Sequence, residues 1–313
     1  MAGFSLPDFP RVDGEVLREI SRRHGLDGEA ASPLPEVGVF NRIYPLGDDL
    51  VLRVPRDHPA FVAAARKESV AVPEAREAGV RTPRMVSFDD ALDLLPVPYS
   101  VYERVHGEAL GLLDIDPAEV AGVWKELGRD LARLHAGVSE DGPAAGLELE
   151  PMPDPRPWPD ELAAEGYFTS TEARWFSGWL DRLAPAALAP GRRRFLHGDS
   201  QATNVMVRSG TLEYLAVLDW GGSGWGDPAW DFAGVPLRVV PSMLEGYRGV
   251  VPPEGDETVE ARILWRHLQL SLYLLRRDPQ PGRSWAERPL GMLVDVTRFL
   301  LDDPGEEWSR WTP

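Results

Sequence analysis

The chain has 313 residues, with 50 Asp and Glu against 33 Lys and Arg and a formal net charge of −17. That balance argues against nucleic acid or an anionic membrane surface as a partner, because both require basic patches. The absence of cysteine excludes disulfides, thiolate metal sites and a cysteine nucleophile.

No run of about 18 apolar residues occurs, so no membrane span is expected. The N-terminus lacks the basic start and apolar core of a signal peptide. The expectation is a soluble cytoplasmic protein, built as one large domain or two lobes sharing a cleft. The acidity either keeps the chain soluble or draws a cationic substrate into an acidic cleft.

Asp13 reads as an N-cap ahead of Val16, Leu17 and Ile20, with Gly25 closing that helix. Residues 37–54 (VGVFNRIYPLGDDLVLRV) read as two strands around a turn at Gly47-Asp48-Asp49. Gly38 is the single glycine of the loop before them, and no GxGxxG is present. Residues 59–78 read as a helix containing Glu68; Pro73 should kink or end it, and Gly79 caps it. Val86 and Pro98–Val105 supply the remaining strands of a small sheet.

Asp116-Pro117 opens a helix with an apolar stripe of Val120, Val123, Trp124, Leu127, Leu131 and Leu134. His135 follows as a structural or capping residue. Residues 139–160, rich in Pro, Gly and acid, form a loop excursion. The next helix should turn Trp175, Phe176, Trp179 and Leu180 inward.

The stretch from Arg192 to Phe232 carries the chemistry. Phe195-Leu196 reads as a short buried strand leading into His197-Gly198-Asp199, with Asn204 five residues beyond Asp199. Val205-Met206-Val207 and Leu215–Leu218 read as two strands joined by a turn at Ser209-Gly210, and the second delivers Asp219. Phosphoryl transfer needs a carboxylate to orient and deprotonate a hydroxyl, and hard oxygen ligands for magnesium on the nucleotide phosphates. Asp199 fits the first requirement; Asn204 and Asp219, brought to one side by the hairpin between them, fit the second.

His197 reads as a brace for the loop. Asp231 is placed to accept hydrogen bonds from the catalytic-loop backbone, and Asp227 to cap the helix start before it. Trp220 and Trp230 read as core, and Trp225, between Gly224 and Gly226, as exposed. The C-terminal third is helical: Ile263, Leu264, His267, Leu268, Leu270, Ser271 and Leu274-Leu275 share a wide apolar face, and Trp285–Leu301 gives another helix.

Taken together, HGDxxxxN (His197 to Asn204), Leu218-Asp219-Trp220, and Gly226-Asp227-Pro228 with Asp231 and Ala233 resemble the aminoglycoside phosphotransferase family of kinase-like enzymes. The resemblance runs from about Val37 to Leu237. It implies an α+β, protein-kinase-like two-lobed fold. Residues 1–104 would form a nucleotide-binding lobe around a small antiparallel sheet, and 105–313 a mainly helical catalytic and substrate-binding lobe.

It further implies ATP or GTP with Mg²⁺ as cofactors and transfer of the γ-phosphate to a hydroxyl of a small molecule. An antibiotic of aminoglycoside, macrolide or related type, with resistance as the outcome, leads the acceptors. The family resemblance places Asn41 in the loop over the phosphates, and Glu103 and Val105 in the linker that reads the adenine edge. Arg53 stands where protein kinases carry a phosphate-binding Lys, with Glu68 as its partner. Arg for Lys is not neutral, because guanidinium grips phosphate through two parallel hydrogen bonds. Glu260 and Asp278 are candidate acidic acceptor contacts.

The rival readings are a metabolic kinase for a sugar, amino alcohol or choline-like substrate, and a non-catalytic nucleotide-binding module. A metal hydrolase is disfavoured, since no His pair stands at ligand spacing. The chain is expected to act as a monomer or homodimer.

Overall fold

The computed structural model describes residues 6–27, 32–34, 39–189, 193–251, 256–276 and 290–313. Val37, Gly38, Arg192, Asp278 and Trp285 lie outside the described residues. Among those described, no helix is long and apolar enough to cross a membrane.

Helix α1 (Gly14–Arg23) starts where expected, with Asp13 accepting from the amides of Glu15 and Val16 at 3.0 and 3.1 Å. It packs Leu17 and Ile20 on a four-stranded antiparallel sheet built from β1 (Asn41–Leu46), β2 (Leu50–Pro55), β3 (Met85–Asp89) and β4 (Tyr99–Glu103), in the order β1-β2-β4-β3. The β1–β2 turn falls at residues 47–49, with Gly47 at φ +61°. Strand alternation sorts β2 into two faces. Leu52 and Val54 join the α1 core with no exposed area, and Arg53 points the other way, toward helix α2 (Pro59–Glu77).

Pro73 neither ends nor interrupts α2, contrary to the expectation from sequence. The helix lies on the larger lobe through Ala71, Val72 and Ala75, each at most 1% exposed, while Pro73 faces solvent. Tertiary burial on both sides of Pro73 outweighs the lost hydrogen bond, which costs about 3 kcal/mol in an isolated helix.

After the two-residue strand β5 (Glu108–Ala109) comes helix α3 (Ala121–Gly137), entered through a 3₁₀ turn at Pro117–Val120. Residues 139–157 are a loop with one 3₁₀ turn; helix α4 (Trp158–Ala164) already begins inside the expected 139–160 excursion, and α5 (Ser170–Ala187) follows. On α5, Phe176, Trp179 and Leu180 are buried, but Trp175 is 43% exposed and lies edge-on to its two aromatic neighbours at the rim. Strands β6 (Arg194–Leu196) and β9 (Gly224–Gly226) pair with each other, and β7 (Val205–Val207) and β8 (Tyr214–Val217) form a hairpin extended by β5.

Helices α6 (Val240–Arg248), α7 (Val259–Leu275), α8 (Leu290–Leu301) and α9 (Glu306–Ser309) complete the lobe. Helices α3 and α6 touch backbone to backbone at two glycines. A Cβ on Gly128 would fall 2.0 Å from the Met243 carbonyl oxygen, and one on Gly246 1.9 Å from that of Lys125. That close crossing sets His135 against Tyr247 beneath the loop that carries Asp199.

Candidate active site

The loop after β6 is held from below by one carboxylate. Asp231, with no exposed surface, accepts from the backbone amides of His197 (2.9 Å) and Gly198 (2.7 Å) and from His135 Nε2 (2.9 Å). Burial alone would raise its pKa; the hydrogen bond and charge of His135, with help from His197 and the Gly198 amide, hold it below the usual carboxylate range. Since Asp231 takes a proton donor from Nε2, His135 Nδ1 accepts from the Tyr247 hydroxyl at 3.1 Å. The bracing role read for Asp231 from sequence is what the structure shows.

His197, also fully buried, ties the two catalytic segments together. Its Nε2 donates to the Leu218 carbonyl at 3.0 Å, and its Nδ1 accepts from the Asp199 amide at 3.2 Å. Gly198 between them has φ +81°, and a Cβ there would sit 2.1 Å from the Gly222 carbonyl oxygen, so only glycine fits.

Asp199, Asn204 and Asp219 converge. The Asn204 amide nitrogen donates to the Asp199 carbonyl (2.8 Å) and to Asp199 Oδ2 (3.1 Å), so the side-chain oxygen Oδ1 is the end not used on Asp199. The Asn204 carbonyl accepts from Leu218 N at 2.8 Å, locking the hairpin beside Asp219. Asp219 itself has φ 67° and ψ 78°, a left-handed conformation uncommon for a residue with a side chain. Strain of this kind persists where surrounding bonds enforce it. Burial and the neighbouring Asp219 charge raise the Asp199 pKa, against His197, Gln201 and Asn204.

Arg53 reaches this cluster from the sheet. Its Nη1 donates to Glu68 at 2.6 Å and its Nη2 to Asp219 at 2.7 Å. With its amide oxygen turned toward the guanidinium, Asn41 accepts from Nη2 at 2.7 Å and Nε at 3.2 Å. The Tyr102 hydroxyl donates to Glu68 at 2.8 Å. Two carboxylates thus share one guanidinium. Burial, with Asp219 adding and Arg53 opposing, pushes Glu68 up to about 7. For Asp219 burial also raises the pKa, but Arg53 overrides it and the net shift is downward.

Of the nucleotide residues read from sequence, Arg53 therefore meets Glu68 and Asn41, and it also meets Asp219. Glu103 and Val105 do not join them. The Glu103 carboxylate pairs with Arg84 at 2.8 Å, and its amide donates to Arg84 O. A cavity of about 440 Å³ at the linker is lined by Glu103, Arg104 and Val105 but also by Thr82 and Leu215, and shares no residue with the Asp199–Asp219 cluster.

Three further expectations change. Trp225 is 4% exposed, because its ring packs edge-on to Phe195 and its indole N–H donates to Ala144 O at 2.8 Å. Trp230 is half-buried instead of core, with its indole N–H on Gly198 O at 3.1 Å. Glu260 is 2% exposed and paired with Arg248, so it cannot serve an acceptor. Asp227 does cap the turn after it, accepting from Ala229 N at 3.1 Å.

Sequence reading missed Gln201, whose amide donates to Asp199 Oδ2 at 3.1 Å, and Tyr102. Gln201 lies inside the motif and could have been found from it. Tyr102 carries no such signal, since only the strand pairing sets it opposite α2.

Magnesium suits this donor set. Asn204 Oδ1, just before β7, and the Asp219 carboxylate, just after β8, are hard oxygens, and Arg53 engages Asp219 through Oδ1. Among the described residues there is no cluster of three or more His, Cys, Asp or Glu that could hold a metal.

A family model described as the phosphotransferase enzyme family matches residues 34–249. Among solved structures, the chain resembles the GDP complex of aminoglycoside 2'-phosphotransferase-IIIa (TM-score 0.61, 17% identity, 87% of this chain and 94% of that one). It also resembles a choline/ethanolamine kinase family protein from Mesorhizobium loti (TM-score 0.62, 19% identity, 95% of each chain). A third is a macrolide 2'-phosphotransferase from Brachybacterium faecium (TM-score 0.58, 21% identity, 96% of this chain and 98% of that one).

At these identities the likeness speaks for the fold, which is the kinase-like two-lobed α+β architecture. A curated relative, acyl-CoA dehydrogenase family member 11 from Rattus norvegicus, is 24% identical over 182 residues, covering 54% of this chain and 23% of that protein. The chain thus spans about a quarter of that relative's length.

Proposed function

This chain belongs to the phosphotransferase enzyme family, and from that premise we propose that it moves the γ-phosphate of ATP or GTP to a hydroxyl of a small molecule. The observation that carries the reading is the meeting of Asp199, Asn204 and Asp219 with Arg53 in one cluster. In this reading residues 1–104 cover the nucleotide and 105–313 carry the catalytic loop and the acceptor site.

Asp199 Oδ2, steadied by Gln201 and Asn204, orients the acceptor hydroxyl and takes its proton as the oxygen–phosphorus bond forms and the bond to the nucleoside diphosphate breaks. Asn204 Oδ1 and Asp219 would hold magnesium, which when bound offsets charge on the phosphates. Arg53, kept in place by Glu68, Asp219 and Asn41, would bring its guanidinium charge to the phosphates, with one Nη1 N–H beyond the bond to Glu68. Glu103 and Val105, at the linker, would offer backbone groups to the base.

The direct test is magnesium-dependent nucleotide binding in wild type and in Asp219→Ala. Survival of that dependence in the variant would remove the metal assignment.

For the acceptor, antibiotics stand first, since relatives are complexes with kanamycin, streptomycin or spectinomycin. A bacterial susceptibility panel with and without expression, followed by mass spectrometry of any inactivated drug, tests it. A metabolite hydroxyl is the second reading. The half-buried Arg266 beside the catalytic loop favours it, because a polycationic aminoglycoside would meet a like charge there.

A further inference from the structure

Resting on the phosphotransferase reading, we infer that Arg266 is an acceptor-recognition residue, and that the acceptor carries an oxyanion, a carboxylate or a phosphate ester, near the hydroxyl it presents to Asp199.

Arg266 lies on α7, and its guanidinium sits 5.8 Å from the centre of the Trp230 ring. The Trp230 indole N–H donates to the carbonyl of Gly198, the residue before Asp199. The guanidinium is therefore one aromatic ring away from the catalytic loop, on a flank built by the C-terminal helices and not by the sheet that carries Arg53.

Its charge is poorly matched. Nη1 donates to Gln269 Oε1 at 2.9 Å, Nη2 stands 3.5 Å from Asp227 Oδ2, and Nε is buried with no partner among the described residues. Asp227 is better engaged elsewhere: its Oδ1 takes the Ala229 amide and Arg262. Arg262 also holds Asp256, so both carboxylates are committed to Arg262 and Arg266 keeps the loose edge of one. Burial pulls the Arg266 pKa down against the attraction of Asp227.

A buried donor without an acceptor is rare in folded proteins and calls for a missing partner. The Nε and Nη edge of a guanidinium is the fork that takes both oxygens of a carboxylate or phosphate. The side chain is also prepositioned. Gln269, 1% exposed, is pinned by its own amide to Pro153 O at 2.7 Å and holds the guanidinium through its oxygen. Trp230 offers the flat apolar face against which a carbon skeleton packs.

The test uses the full chain saturated with Mg²⁺ and ADP. The Arg266 Nε–H resonance, assigned by its loss in Arg266→Lys, is followed during titration with glycerol, glycerate and glycerol 3-phosphate. Glycerate and the phosphate ester distinguish the two oxyanions, and glycerol is the neutral control. At least one anion should shift that resonance saturably while glycerol does not. Arg266→Lys, which keeps the charge but not the fork, should weaken the responding anion about 10- to 100-fold.

In turnover assays the anionic acceptor should exceed glycerol by a similar factor in kcat/KM. Arg266→Gln should erase that preference through KM with little change in kcat, melting curves confirming that it folds. No shift with either anion, or an equal response to glycerol, overturns the inference. Magnesium-dependent ADP binding in the same samples separates the two ideas, because its loss defeats the phosphotransferase reading, whereas Arg266 can fail with it intact.

Discussion

Arg53→Lys tests how much this site depends on guanidinium geometry. Arg53 holds Glu68 and Asp219 through separate nitrogens at 2.6 and 2.7 Å, and Asn41 through Nη2 and Nε. Lysine ends in a single nitrogen, so it cannot hold both carboxylates from two atoms and keep Asn41 as well. At least one charge-assisted hydrogen bond goes, each worth about 1.5–3 kcal/mol. The Asp219 side chain is 38% exposed, so water recovers part of that loss. The net cost should be about 1–3 kcal/mol, seen as a fall in Tm of about 2–5 °C in nucleotide-free protein.

If the guanidinium so held also meets phosphate, the Kd for Mg²⁺·ADP should rise about tenfold in the lysine variant, measured by calorimetric titration. A lysine variant with wild-type Tm and wild-type nucleotide affinity would show that Arg53 acts as a simple point charge, and the clamp would be abandoned.

Asp199→Asn should lower kcat by ~10²–10⁴ while nucleotide still binds, and wild-type turnover would remove Asp199 from the mechanism. Asp231→Ala strands the His197 and Gly198 amides and His135 in a site without solvent, so it should destabilise by about 3–5 kcal/mol in chemical denaturation; a change under about 1 kcal/mol would show that the loop is held otherwise. Glu68 holds its proton up to about pH 7 in the folded chain against about 4.5 unfolded, so its contribution makes stability fall as pH rises between those values and stay level above them. Glu68→Gln should flatten that fall, on the order of 1–3 kcal/mol, and parallel Tm–pH curves for the two proteins would refute the assignment.

Much of the site was legible because its signals are local. The turn from His197 to Asn204, the strand that leads to Asp219, and the caps at Asp13 and Asp227 are set by neighbours within a few residues, and the structure has them in those positions. The same holds for strand alternation at Val51–Val54, which put Arg53 on the face opposite Leu52 and Val54. The misreadings share a cause. Pro73 in α2, the buried Trp225 and the occupied Glu260 each depend on a surface supplied from far along the chain: the larger lobe, Phe195 with Ala144, and Arg248.

Period and spacing therefore determined the strands and turns around His197–Asp219, and the family resemblance carried by their motifs supplied the two-lobed fold class and the phosphotransferase family. Only the tertiary structure decided which charges face which: that Arg53 is shared by Glu68, Asp219 and Asn41, that Asp231 closes on His135, and that Arg266 is left undercompensated beside Trp230. Local propensity acts over a turn or a strand, whereas the fate of a buried charge depends on partners brought together by packing.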